Sequence, residues 1–194
     1  MTVPILTEDL VTWILYQRGK VAGSKLYFKI KHNLSLERDW QYVFGPDVDL
    51  LEITKDNSLV AYEIKGQRKT HSGEHDWPAL YDGLGQALNY LILPFVVDSH
   101  GRRLFEGGAF DYVYLVNARP DGSKNEAGLN VIQLTPLGYL TVTPKSEVAE
   151  IIQPKKNPLQ SLETKQHLLE NLSTLVKFCE QSRTFRGLVP QESE

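Results

Sequence analysis

Apolar positions along this chain recur with two periods, and the switches between them mark out the elements. From Glu8 to Gln17, Leu10, Val11, Ile14 and Leu15 fall at helical spacing behind Thr7, a residue type suited to capping a helix N-terminus, and Gly19 and Gly23 then end the run. Leu26-Tyr-Phe-Lys-Ile-Lys is rich in aromatic and β-branched types and predicts a strand, whereas Leu34 to Val43 shows no clear pattern. Val48 to Ile53 and Leu59 to Ile64 read as two strands joined by a turn at Lys55-Asp-Asn-Ser, which makes a hairpin. Gly66 to Pro78 carries turn formers and charges without a period and predicts a loop, leading into a helix from about Ala79 to Leu93 with its stop at Pro94. Phe110-Asp-Tyr-Val-Tyr-Leu-Val predicts another strand. Leu129-Asn-Val-Ile-Gln-Leu and Tyr139-Leu-Thr-Val-Thr predict a closing hairpin turned at Thr135-Pro-Leu-Gly. Beyond Pro144 the chain becomes polar and proline-punctuated, as a surface connector would. Leu159, Leu162, Leu168, Leu169, Leu172, Leu175, Val176 and Cys179 then form the apolar stripe of a last helix, from Leu159 to Ser182.

These elements predict an α/β fold with a central mixed sheet flanked by helices. Residues 1–144 form the core, and 145–194 a connector and C-terminal helix packing on the core or on a partner, in one domain overall.

The informative chemistry lies on the first hairpin, in Gly45-Pro-Asp-Val-Asp-Leu-Leu-Glu-Ile and Leu59-Val-Ala-Tyr-Glu-Ile-Lys-Gly. Side chains two apart on a strand point the same way, so Glu63 and Lys65 share one face, as do Asp47 and Asp49 if the first arm is extended there. Glu52 falls on the face opposite Asp49 and is expected to be exposed. Carboxylates placed side by side in a partly buried sheet repel one another and resist ionisation unless a cation neutralises them. Mg²⁺ suits such a site, because it prefers oxygen donors and takes only one or two carboxylates.

Asp49 followed by Glu63-Ile-Lys65 on the next strand resembles the signature of the PD-(D/E)xK nucleases, over roughly Thr7 to Leu93. The resemblance implies a restriction-endonuclease-like core and metal-dependent hydrolysis of phosphodiester bonds, of DNA, with Mg²⁺ or Mn²⁺ as cofactor. Carried over by position, it makes Asp49 and Glu63 metal ligands, the Ile64 carbonyl a further ligand, and Lys65 the cationic catalytic group. Asp47 is the alternative to Asp49, and the additional acid that several subfamilies carry on the first helix is Glu8 or Glu37. Gly83-Leu-Gly-Gln-Ala-Leu-Asn-Tyr is similar to the glutamine-xxx-tyrosine element of RecB-like nucleases, with Gln86 and Tyr90 four apart on one helical face. That similarity implies a catalytic part for Gln86 and a substrate-binding one for Tyr90.

Composition changes this picture only at its edges. Of 194 residues, 41% are hydrophobic and 23% charged, as in a globular protein, and the formal charge of -3 argues against coating nucleic acid by bulk electrostatics. Local basic groups, Lys20, Lys25, Lys29 and Lys31 and then Lys65, Arg68 and Lys69, are placed to line a phosphate track or to face solvent, and Arg68 and Lys69 are the substrate-binding candidates. The single Cys179 permits no intramolecular disulfide, and no apolar run reaches the roughly 20 residues of a membrane span, so an intracellular, cytoplasmic protein is expected. His71, Glu74, His75 and Asp76 offer zinc-ligand types, although Ser72-Gly73 breaks the helix that their spacing would need. Trp40, Trp77 and Tyr81 are candidates for stacking on unpaired bases or for core packing. No phosphate-binding loop or nucleophile elbow is present, which leaves NTP hydrolysis and serine-hydrolase chemistry without support. The alternatives to a nuclease are a non-cleaving nucleic-acid-binding or assembly protein on the same fold, or an interaction protein whose last helix docks a partner. A homodimer or a module of a larger DNA-processing complex is compatible with each.

Overall fold

A computed structural model describes residues 5–30, 40–43, 47–120 and 128–179. In chain order the elements are α1 (Glu8–Ala22), β1 (Lys25–Ile30), β2 (Trp40–Val43), β3 (Val48–Ile53), β4 (Leu59–Lys65), β5 (Arg68–Lys69), β6 (His75–Asp76), α2 (Leu84–Asn89), β7 (Phe95–Asp98), β8 (Tyr112–Ala118), α3 (Leu129–Gln133), β9 (Gly138–Val142), β10 (Val148–Ile152) and α4 (Leu162–Cys179). Six strands form the central sheet in the order β1-β3-β4-β8-β9-β10, and β2 with β7 and β5 with β6 form two small sheets. The central sheet is mixed. Antiparallel pairs join β1, β3 and β4, parallel pairs join β4, β8 and β9, and β10 closes the edge antiparallel.

α1 starts where its sequence predicts, with Thr7 extended and its Oγ1 accepting from the Leu10 amide at 3.2 Å. Glu8 and Asp9 in the first turn and Lys20 in the last match the helix dipole. The helix runs through Gly19 to Ala22 instead of ending near Gln17. Gly19 is buried beneath the Leu26 side chain, where a Cβ would stand 2.8 Å from Leu26 Cδ2, so this glycine makes room for packing and Gly23 is the cap.

The sheet divides its side chains by parity. Leu50, Val60, Tyr62 and Ile64 pack with Val11 and Leu15 of α1, while Leu51, Ile53, Leu59 and Ala61 pack with Ala87 and Tyr90 near α2 and with Leu168 and Leu172 of α4. β4 is therefore covered on both faces and buried throughout. This explains its near-continuous apolar run.

Four expectations need correction. Leu129–Gln133 is a helix, not a strand. β8 and β9 run parallel, and a parallel pair needs a crossover that a tight turn at Thr135-Pro-Leu-Gly cannot supply. The predicted helix from Ala79 to Leu93 shrinks to α2, because Asp82 Oδ2 accepts from the Ala79 amide and Gly83 takes φ +84°, holding 80–83 in turns. Within the predicted loop, 68–69 and 75–76 pair as a small hairpin. The connector beyond Pro144 contains β10, the sixth strand of the sheet.

α4 begins at Leu162, and its Leu168 and Leu172 are buried in the core, so the helix packs on the sheet. Asp111 anchors the approach to it: one carboxylate oxygen accepts from the Leu59 amide and from Lys165 Nζ, each at 2.7 Å, and the other from Gln160 Nε2 at 2.6 Å. Glu37 and Ser182, and the side chains of Trp40, Lys29 and Cys179, lie outside what the structure describes.

Candidate active site

β3 and β4 bring Asp49, Glu63 and Lys65 onto one face, the one covered by the 79–90 segment. One step beyond the last antiparallel pair, Leu50 with Tyr62, the strands carry Asp49 to the end of β4, where its Oδ2 accepts from the Ile64 amide at 2.8 Å. Glu63 is 1% exposed and Lys65 7%, and their charged groups form an ion pair at 2.5 Å. Lys65 Nζ meets Glu63 Oε1 at that distance, and a carboxylate oxygen has more than one acceptor position. That oxygen keeps a lone pair for another partner.

The other oxygen is held from above. Tyr90 is completely buried, and its hydroxyl stands 2.6 Å from Glu63 Oε2 and in short contact with the Asp47 carbonyl oxygen. A phenol has one proton, so only one of these two oxygens can accept it at a time. A protonated Glu63 would make both contacts hydrogen bonds. Burial raises the Glu63 carboxyl above the ordinary range, opposed by the Lys65 ammonium and the Tyr90 hydroxyl. Burial, followed by the Glu63 charge, raises Asp49 from 3.8 to about 7, with the Ile64 amide and Lys65 working the other way. Tyr90 is pushed upward too, first by burial and then by the two carboxylates, so it remains a phenol at neutral pH.

Two glycines let the backbone close on this cluster. A Cβ at Gly83 would stand 2.8 Å from Lys65 Cε and 3.0 Å from Glu63 Cγ, and the positive φ there disfavours any other residue. A Cβ at Gly66 would collide with the backbone of Thr7 and Glu8, so glycine allows the start of α1 to abut the end of β4. This brings Glu8 close enough for its charge to act on both Asp49 and Glu63, and its carboxylate lies 4.0 Å from Arg68.

Nothing matches this chain among family models or among curated proteins. One solved structure that it resembles is the SPO1766 protein of unknown function from Silicibacter pomeroyi, at 9% identity, with a TM-score of 0.38 over 80% of this chain and 86% of that one.

The remaining candidates fall into place around the cluster. Gln86 is half-buried one turn before Tyr90 and is not bonded to either carboxylate. The Ile64 side chain faces α1, and its amide holds Asp49. Tyr90, expected at the substrate, is instead a buried tie between Glu63 and the start of β3. Arg68 and Lys69 are exposed on β5. Glu52, expected to be exposed, is half-buried and accepts from the hydroxyls of Ser24 and Tyr62. Sequence reasoning missed Asn117, which lies in register beside Lys65 and donates to the carbonyl oxygens of Ala79 and Leu80, pinning the turn that covers the site. One asparagine inside a strand pattern carries no signal for this.

The donor set decides which cation would suit. Among the described residues no group of three or more His, Cys, Asp or Glu could hold a metal, and His71 and His75 sit at the tip and on β6 of the small hairpin. Zinc, which needs three or four protein ligands, does not fit. Asp49 and Glu63, both raised by burial and Asp49 also by the Glu63 charge, are an oxygen donor pair that fits Mg²⁺ or Mn²⁺, which take few carboxylates and fill the rest with water and substrate oxygens. Among the described residues no helix is long and apolar enough to cross a membrane.

Proposed function

We propose that this chain is a metal-dependent nuclease that hydrolyses phosphodiester bonds of DNA on a restriction-endonuclease-like core. The observation that carries this reading is the convergence of Asp49, Glu63 and Lys65 on one face of two adjacent strands, with both carboxyls shifted toward the protonated form. Asp49 and Glu63 would hold Mg²⁺ or Mn²⁺, which supplies Lewis-acid polarisation of the phosphate and an acidified water. The chain's own groups do the rest. Lys65 places a fixed positive charge where a pentacovalent phosphate gains negative charge. Tyr90 and the Ile64 amide fix the two carboxylates in orientation, so little reorganisation is needed when substrate arrives. Glu8, at the start of α1, adds a third negative charge at the rim.

The test is cleavage of labelled single- and double-stranded DNA and of RNA in Mg²⁺, Mn²⁺ and chelator. Wild type should cut only with metal, while Asp49→Ala, Glu63→Ala and Lys65→Ala should each be inactive with an unchanged circular dichroism spectrum. A fully active Glu63→Ala protein ends the proposal. The near-complete burial of the Glu63 and Lys65 pair favours one second reading, a nucleic-acid-binding protein that does not cleave. For that reading, chelator-insensitive affinity without product is the expected result.

A further inference from the structure

Beyond Lys65 the chain leaves the sheet as the β5–β6 hairpin. Between this hairpin and residues 77–82 lies an open groove of ≈490 Å³, with Arg68, Lys69, His71, Trp77, Pro78 and Asp82 in its lining. It sits past the carboxyl end of β4, which runs antiparallel to β3 and parallel to β8. Trp77 is half-buried: it packs on the α1-side cluster and also lines the groove. Of the groove's carboxylates, Asp82 accepts from the Ala79 amide at 2.9 Å, and Asp76 is exposed opposite Arg68 in the β5–β6 register. Among the described residues no carboxylate pairs with Lys69, which is exposed, as is His71.

We propose that this groove holds an unpaired nucleotide of a single-stranded nucleic acid, with its base against Trp77 and its phosphates along Arg68 and Lys69. In a duplex every base face is already stacked, so the part-exposed ring of Trp77 has a partner only in a strand whose bases are free. An aromatic wall combined with a cationic rim binds single strands with little regard to sequence, since every base has a ring face and every nucleotide a phosphate. The inference rests on the nuclease reading for the direction of the strand. From Arg68, 4.0 Å from Glu8, a bound backbone leads toward the two carboxylates.

The experiment is fluorescence anisotropy with labelled 12-nucleotide oligo-dU, oligo-U and a blunt DNA duplex, in chelator so that nothing is cut. Both single strands should bind at least tenfold more tightly than the duplex, and whichever binds better identifies the preferred sugar. Trp77→Leu should weaken single-strand binding by about five- to a hundredfold and leave duplex binding unchanged. Lys69→Glu, on an exposed strand, should weaken it and flatten its dependence on salt. If Trp77→Leu fails to give a cooperative melt, Lys69→Glu decides alone. Equal binding of single strand and duplex, unchanged affinity in the variants, or a mononucleotide bound as tightly as the 12-mer would each overturn the inference. A single-strand preference that depends on Trp77, without product in Mg²⁺ or Mn²⁺, would sink the nuclease reading and leave the groove standing.

Discussion

Replacing Asp49 by asparagine should make the protein more stable at alkaline pH. Asp49 titrates at about 7 in the fold against an ordinary 3.8, because burial and the Glu63 charge disfavour its anion. The folded state therefore binds this proton more tightly than the unfolded chain, and stability falls as pH rises from about 4 to about 7, with the full penalty present above 7. At about 1.4 kcal/mol per pH unit the gap corresponds to an upper limit of about 4 kcal/mol. Asp49 is only half-buried and shares its titration with Glu63, so about 2–4 kcal/mol is the working range. Asparagine keeps an oxygen for the Ile64 amide and removes the charge. For a chain of this size the gain corresponds to a rise in Tm of roughly 5–15 °C. Thermal unfolding of wild type and Asp49→Asn, followed by circular dichroism in chelator at pH 4.5 and pH 8, measures it. The stabilisation should be large at pH 8 and about a quarter as large at pH 4.5, where the unfolded chain is already mostly ionised. In wild type at pH 8, Mg²⁺ at ten times its Kd should restore about 1.4 kcal/mol, an effect missing in Asp49→Asn. Equal Tm values at pH 8, or the same gain at both pH values, would refute the electrostatic reasoning.

Three further outcomes follow from the same geometry. Tyr90→Phe removes a hydroxyl that holds a buried carboxylate and should cost about 1.5–3 kcal/mol in urea unfolding, while weakening Mg²⁺ binding measured by calorimetry. Gly83→Ala places a methyl group against Lys65 Cε at a left-handed position. It should cost about 2–4 kcal/mol and lower cleavage, whereas Gly85→Ala, inside α2 with open space around it, should leave cleavage unchanged and stabilise by up to about 1 kcal/mol. Asp111→Ala strips the acceptor from Lys165, Gln160 and the Leu59 amide and should cost about 3–5 kcal/mol by thermal unfolding, with metal affinity in the folded protein unchanged.

The sequence by itself determined which residues share a face. A strand period of two puts Glu63 and Lys65 on one side of β4, and the short turn after β3 brings Asp49 alongside; both follow from neighbours within about 15 residues. The start of α1 was legible for the same reason, since Thr7 and the first turn act locally. Only the tertiary structure decided what closes over that face. Tyr90 reaches Glu63 from 27 residues away and Asp47 from 43, and Asn117 pins the Ala79 carbonyl from 38, so no local period records them. Leu129–Gln133 and Val148–Ile152 took their forms from their places in the fold, one as the crossover between parallel strands and the other as a partner for the free edge of β9. Local pattern fixes the side toward which a residue points. What it meets there depends on segments distant in the chain that pack on that side, and the same packing buried the two carboxyls and raised them.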